Sequence, residues 1–192
     1  MDFLRSRQRK RVDTIVCSLA TFYIYKGFMS RTLVIGFGNL DRADDGVAYY
    51  VINALRQRLG QKILSEDMTG LEGLSGEIDS IFVSQLVPEL MDVLTDYNQV
   101  IFVDAHVYEN VDNLHCTPVS QDYTPPTFSH NITPPMLLAF LKKLYHREPI
   151  AYLVSIRGYD FDFHRNLSVD TKALVEPAVE YIQSRLLSDN AH

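Results

Sequence analysis

The chain has 192 residues, 46% of them apolar and 22% charged, with a formal net charge of −6. That is enough for one compact domain with a sizeable core, and the acidic balance argues against a nucleic-acid partner. Cys17 and Cys116 are the only cysteines, too few for a disulfide framework or a Cys-rich zinc site, and they fit a reducing cytoplasm.

The charge is uneven. Residues 1–28 carry six basic and two acidic side chains, which leaves 12 basic and 22 acidic residues from Met29 onward. "RSRQRKR" followed by "TIVCSLATFYIY" imitates a signal peptide. The apolar run is shorter than the ~20 residues that span a bilayer, and no small-residue cleavage site follows it. Residues 1–28 are therefore read as an extension outside the fold. Either the start codon is assigned too early and Met29 is the true start, or the segment is a short membrane-surface or disordered leader. Residues 29–192 are read as one domain without a membrane span, expected to be a monomer.

The first predicted element is a fully apolar strand at Leu33–Ile35, ended by Gly36 and Gly38. A helix follows, with Val47, Tyr50, Val51, Ala54 and Leu55 on one face, Asp44 or Asp45 as N-cap and Gly60 as stop. Residues 61–79 are polar and glycine-bearing, with at most a short strand near Ile63–Leu64. "SIFVSQL" reads as a strand. "VPELMDVLTDY" reads as a helix with Pro88 near its first turn and Leu90, Val93, Leu94 and Tyr97 inward. "QVIFVDA" is the clearest buried strand, and "NLHCTPVS" is a candidate for another. "TPPMLLAFLKKLYH" reads as a helix capped by Thr133, with Leu137, Phe140, Leu141 and Leu144 inward. "IAYLVSIRG" is a further buried strand. "LSVDTKALVEPAVEYIQSRLL" closes the chain as an amphipathic helix that Pro177 kinks or delays. Strands alternating with helices predict an α/β three-layer sandwich: a mostly parallel, twisted sheet of about five strands flanked by helices.

In such sheets ligands lie outside the carboxyl ends of the strands. Asp45 follows the first strand, Asp104 follows "QVIFV", and His130 lies in the loop before the third helix. Two carboxylates and an imidazole with open coordination positions suit a borderline divalent metal at a reactive site. Each residue also has a plainer reading: Asp45 as a helix cap, Asp104 as a loop anchor, His130 as a structural or solvated histidine. His106, His115, His146, His164 and His192 receive no role. A dinucleotide is disfavoured. "GFGNLD" lacks the third glycine of the phosphate-binding fingerprint, and Asp41, Asp44 and Asp45 would repel a pyrophosphate at the helix start but attract a cation.

"VIGFGNLDRADDGVAYYVINAL", "VIFVDA" and "SHNITPPMLLAFL" together resemble the three signature blocks of the [NiFe]-hydrogenase maturation endopeptidases. "VSQLVPELMDVL" and "IAYLVSIRGYDFDF" are similar to the family's intervening segments. The resemblance runs from about Arg31 to the C-terminus. It departs from the family pattern at Arg42-Ala43, at Ala48, at the extra acid Asp41 and over residues 66–79. It implies an endopeptidase that removes the C-terminal extension of the hydrogenase large-subunit precursor after nickel insertion. It also implies that Asp45, Asp104 and His130 are the nickel-contacting, catalytic residues.

The residues agree with that class in what they lack. G-x-S-x-G and H-E-x-x-H are absent, and neither cysteine lies in a nucleophile setting. Nickel carried by the substrate's own cysteines would then complete the site and make cleavage a checkpoint for metallation. Two other readings compete: a non-catalytic chaperone for nickel or the large subunit, and a degenerate nucleotide-binding module.

Overall fold

The computed structural model describes residues 30–122 and 132–187. The expectations for residues 1–28 and for His130 therefore lie outside the described residues. Five strands form one sheet: β1 (Thr32–Phe37), β2 (Ile78–Val83), β3 (Gln99–His106), β4 (Leu114–Pro118) and β5 (Ile150–Arg157), in the order β2-β1-β3-β5-β4. The first four in that order run parallel, and β4 pairs antiparallel with β5. The expected three-layer α/β sandwich is the architecture found.

Alternate residues of each strand feed two cores. Val34, Phe82, Ile101, Val103, Val154 and Ile156 face the helices α1 (Val47–Arg58) and α5 (Val175–Tyr181). Leu33, Ile35, Ile81, Val100 and Phe102 face α2 (Leu90–Leu94) and α3 (Pro134–Tyr145). Because both faces are covered, the parallel strands read as continuous apolar runs rather than as alternation.

Several local expectations need correction. No strand forms at Ile63–Leu64; Leu64 is buried in the α1 core, and its carbonyl accepts from the Tyr49 and Asn53 side chains. The buried stripe of α1 is Val47, Ala48, Val51, Ile52 and Leu55, with Tyr50 turned outward. Leu144 is likewise exposed, and α3 buries Leu137, Leu138 and Leu141 instead. Thr133 occupies the N-cap of α3 without a side-chain cap bond. The closing helix is broken at Leu174 into α4 (Val169–Ala173) and α5, ahead of a π-helical turn at Ile182–Leu187. Pro177 accounts for the break: it has no N–H for the Ala173 carbonyl, and its ring crowds that position.

Gly60 ends α1 as expected. Its φ is +68°, its N–H reaches the Gln57 carbonyl, and the Gln61 N–H reaches that of Arg56, the paired bonds of a left-handed helix stop. Among the described residues no helix is long and apolar enough to cross a membrane.

At the strand-start edge a buried carboxylate closes the sheet. Asp79 accepts from Arg31 Nη2 at 3.0 Å, Tyr97 Oη at 2.8 Å and the Gly76 N–H at 3.1 Å. Removing one partner of such a buried charged network leaves the others unsatisfied. Asp79→Asn should therefore lose about 2–3 kcal/mol in a denaturant titration.

Candidate active site

The sheet order makes a switch point. From β1 the chain passes through α1 to β2 on one side, whereas β3 lies on the other side of β1 and leads away toward β4 and β5. The crevice between the carboxyl ends of β1 and β3 is where this architecture binds ligands. Asp45 and Asp104 stand on its two rims.

Asp45 belongs to a 3-10 turn, Ala43–Gly46, between β1 and α1. It does not cap the helix, and neither does Asp44: the N-cap is Gly46, with no side-chain cap bond. Instead Asp45 Oδ2 accepts from the Asn39 N–H at 3.1 Å, closing the loop that leaves β1. Gly38 makes that closure possible. Its φ is +148°, and a Cβ there would lie 2.0 Å from the Asp45 carbonyl oxygen. Ala43, at φ +46°, is a non-glycine residue in the left-handed region, a conformation that persists only where its surroundings hold it.

Asp104 lies inside β3, which runs on to His106, rather than just beyond its end. Its Oδ1 accepts from the Ala105 N–H at 2.8 Å. Burial, and after it the charge of Asp45, push its carboxyl up to about 7 against that hydrogen bond. The two carboxylates are thus near enough for the charge of one to act on the other. His130 is among residues 123–131, outside the described residues. Among the described residues no group of three or more His, Cys, Asp or Glu side chains is arranged to hold a metal. Of the three expected site residues, Asp45 and Asp104 lie among the described residues, and the charge of Asp45 is felt at Asp104.

The acidic cluster does not act as a unit. Asp41 pairs with Arg165 Nε at 2.6 Å on the surface, and Arg165 also contacts Glu66. Asp44 is fully buried and directed away from the crevice into the segment after β5. Burial alone would raise its pKa, but hydrogen bonds from Thr171, Tyr159 and Ser168 outweigh that and hold it below the usual carboxylate value. Asp45 is the member of the cluster whose charge acts on Asp104.

Two histidines given no role from the sequence stand on the same face of the sheet as Asp104. His106 follows it by two residues on β3, and His115 is reached across β5 through the row Asp104, Ser155, His115. The two imidazoles meet edge to face at 4.8 Å, and His106 Nδ1 accepts from the Tyr108 N–H at 3.2 Å. Burial, and next His115, hold His106 below its ordinary pKa. Only strand register reveals this neighbourhood; neither residue belongs to a local motif. Cys116 points to the opposite face, against the α1 core, and burial pushes its thiol up despite a hydrogen bond with Tyr181. It is no activated nucleophile.

No family model matches the chain, and no curated protein does. Solved structures do. The hydrogenase maturating endopeptidase HybD from E. coli aligns with a TM-score of 0.60 at 21% identity, over 83% of this chain and 93% of that one. The [NiFe] hydrogenase maturation protease HycI from Thermococcus kodakarensis KOD1 aligns at 0.58 and 14% identity, over 89% and 97%. HybD from Thermococcus kodakarensis aligns at 0.56 and 16% identity, over 80% and 97%. Likeness at these identities speaks for the backbone, and with nearly the whole of each relative covered, this chain has the fold of the [NiFe]-hydrogenase maturation proteases.

Proposed function

We propose that this protein is an endopeptidase that removes the C-terminal extension of a [NiFe]-hydrogenase large-subunit precursor once nickel is in place. What supports the reading is the buried carboxyl of Asp104 near the carboxyl end of β3, raised to about 7 by burial and, after it, by the charge of Asp45. Two carboxylates held together in this way repel each other, and a dication presented between them relieves the repulsion. The nickel belongs to the substrate, held there by the substrate's own cysteines. The sequence resemblance supplies His130 as the third nickel contact.

The chemistry follows from those groups. Peptide hydrolysis needs a polarised carbonyl and an activated water. A carboxyl that titrates near neutrality can hold a proton in the free protein and surrender it when positive charge arrives, which suits Asp104 to proton transfer as well as to metal contact. Asp45 supplies the second carboxylate of the pair. A precursor without nickel would leave the pair self-repelling and the scissile bond unplaced, so metallation is checked by the same groups that cut.

Purified protein incubated with nickel-loaded precursor should release the C-terminal peptide, read by mass. The nickel-free precursor should remain whole. Tight binding of the loaded precursor without any cleavage would instead support the chaperone reading. Equal cutting of both precursors would end the checkpoint reading while leaving the peptidase assignment standing.

A further inference from the structure

We propose that Asp44 is a positioning residue: by binding the segment after β5 it fixes the turn that aims Asp45 into the crevice. This rests on the reading of Asp45 as a nickel contact.

The Asp44 carboxylate accepts from five donors, all from beyond β5. They are the Tyr159 N–H at 2.8 Å, the Asp160 N–H at 2.9 Å, the Ser168 N–H at 2.7 Å, Ser168 Oγ at 2.7 Å and Thr171 Oγ1 at 2.7 Å. The main chain of the turn is tied to the same segment. The Ala43 N–H donates to the His164 carbonyl at 2.7 Å, and the Asp44 N–H to that of Asp160 at 3.0 Å. Gly158 packs so closely that a Cβ on it would lie 3.1 Å from the Asp44 Cβ. Those bonds are what keep Ala43 at its positive φ.

Among the described residues Asp45, one residue on, has a single side-chain bond, from the Asn39 N–H. One bond leaves a carboxylate several rotamers. The backbone therefore sets where those rotamers start from and how near Asp104 they can come, and Asp44 holds that backbone. Placement errors of about 1 Å around reacting groups are costly in rate, by about 10²-fold in well-studied cases.

Asp79 provides a matched comparison. It is also a buried carboxylate with several donors, but it sits at the opposite, strand-start edge. Asp44→Asn, Thr171→Val and Asp79→Asn are compared well below their unfolding temperatures, with folding checked by near-ultraviolet circular dichroism. kcat and KM are measured on nickel-loaded precursor, and amide exchange is followed at Ala43, Asp44 and Asp45. Asp44→Asn should lower kcat at least ~10-fold with KM within about threefold, and should speed exchange in the turn. Thr171→Val, which removes one donor of five, should shift both in the same direction by less, and it decides the matter if Asp44→Asn does not fold. Asp79→Asn should lower the unfolding temperature and leave kcat and the turn's exchange alone. The proposal is overturned if folded Asp44→Asn keeps its kcat, or if Asp79→Asn loses as much. If the unaltered protein leaves the precursor whole, the functional reading fails by itself, and the exchange rates alone decide whether Asp44 holds the turn.

Discussion

Asp104→Asn should unfold at a higher temperature than the parent protein at pH 8 and process no precursor. The stability half follows from proton linkage. In the folded state Asp104 keeps its proton up to about pH 7, whereas the ordinary value that applies in the unfolded chain is 3.8. Between those values the folded state binds the extra proton, so the free energy of unfolding falls as pH rises, by up to ~1.4 kcal/mol per unit. Above pH 7 the whole penalty is present, on the order of a few kcal/mol once partial solvent access is allowed for. Asparagine carries no charge to repel Asp45, and its side-chain oxygen can still accept from the Ala105 N–H. The gain should shrink steadily as the pH is lowered from 8 toward 4, where the native carboxyl is neutral as well. Thermal melts of both proteins across that range give the comparison. A pH-independent difference would mean that the charge of Asp104 is not strained in the free protein.

Gly38→Ala should cost both stability and processing. The methyl would overlap the Asp45 carbonyl oxygen at 2.0 Å, where backbone rather than a flexible side chain must move. The φ of +148° is itself poorly suited to alanine. Together these predict a loss of about 2–4 kcal/mol by chemical denaturation. They also predict processing reduced by at least ~10-fold in protein that is still folded, because relief of the overlap shifts the residue that carries the site. Gly36→Ala serves as the contrast. Its clash, with Ile52 Cγ1 at 2.6 Å and the Ala48 carbonyl oxygen at 3.1 Å, would cost stability but falls on α1 rather than on the turn that carries Asp45. A folded Gly38→Ala protein with full activity would show that the turn tolerates displacement.

Much of the fold could be read from the chain. The runs Leu33–Ile35, Val100–Val103 and Ala151–Val154 are apolar without alternation, because parallel strands covered on both faces need apolar residues at every position. Glycine and proline marked ends that the structure keeps, at Gly60 and ahead of Pro177. Topology alone put Asp45, after β1, and Asp104, in the last residues of β3, toward the same edge of a parallel sheet; that β3 runs on two residues past Asp104 was not legible.

Tertiary structure decided what local sequence cannot encode. "DRADD" reads as one acidic patch, yet Asp41 meets Arg165, Asp44 meets donors 115 and more residues away, and Asp45 is left for the crevice. Each partner is distant in the chain, so no spacing rule announces it. Likewise His115 joins the row of Asp104 only because β4 turns antiparallel and pairs with β5 in one register. Local sequence chooses strands, helices and turns through the backbone; which of three neighbouring carboxylates remains free to work is settled by what the folded chain packs against the other two.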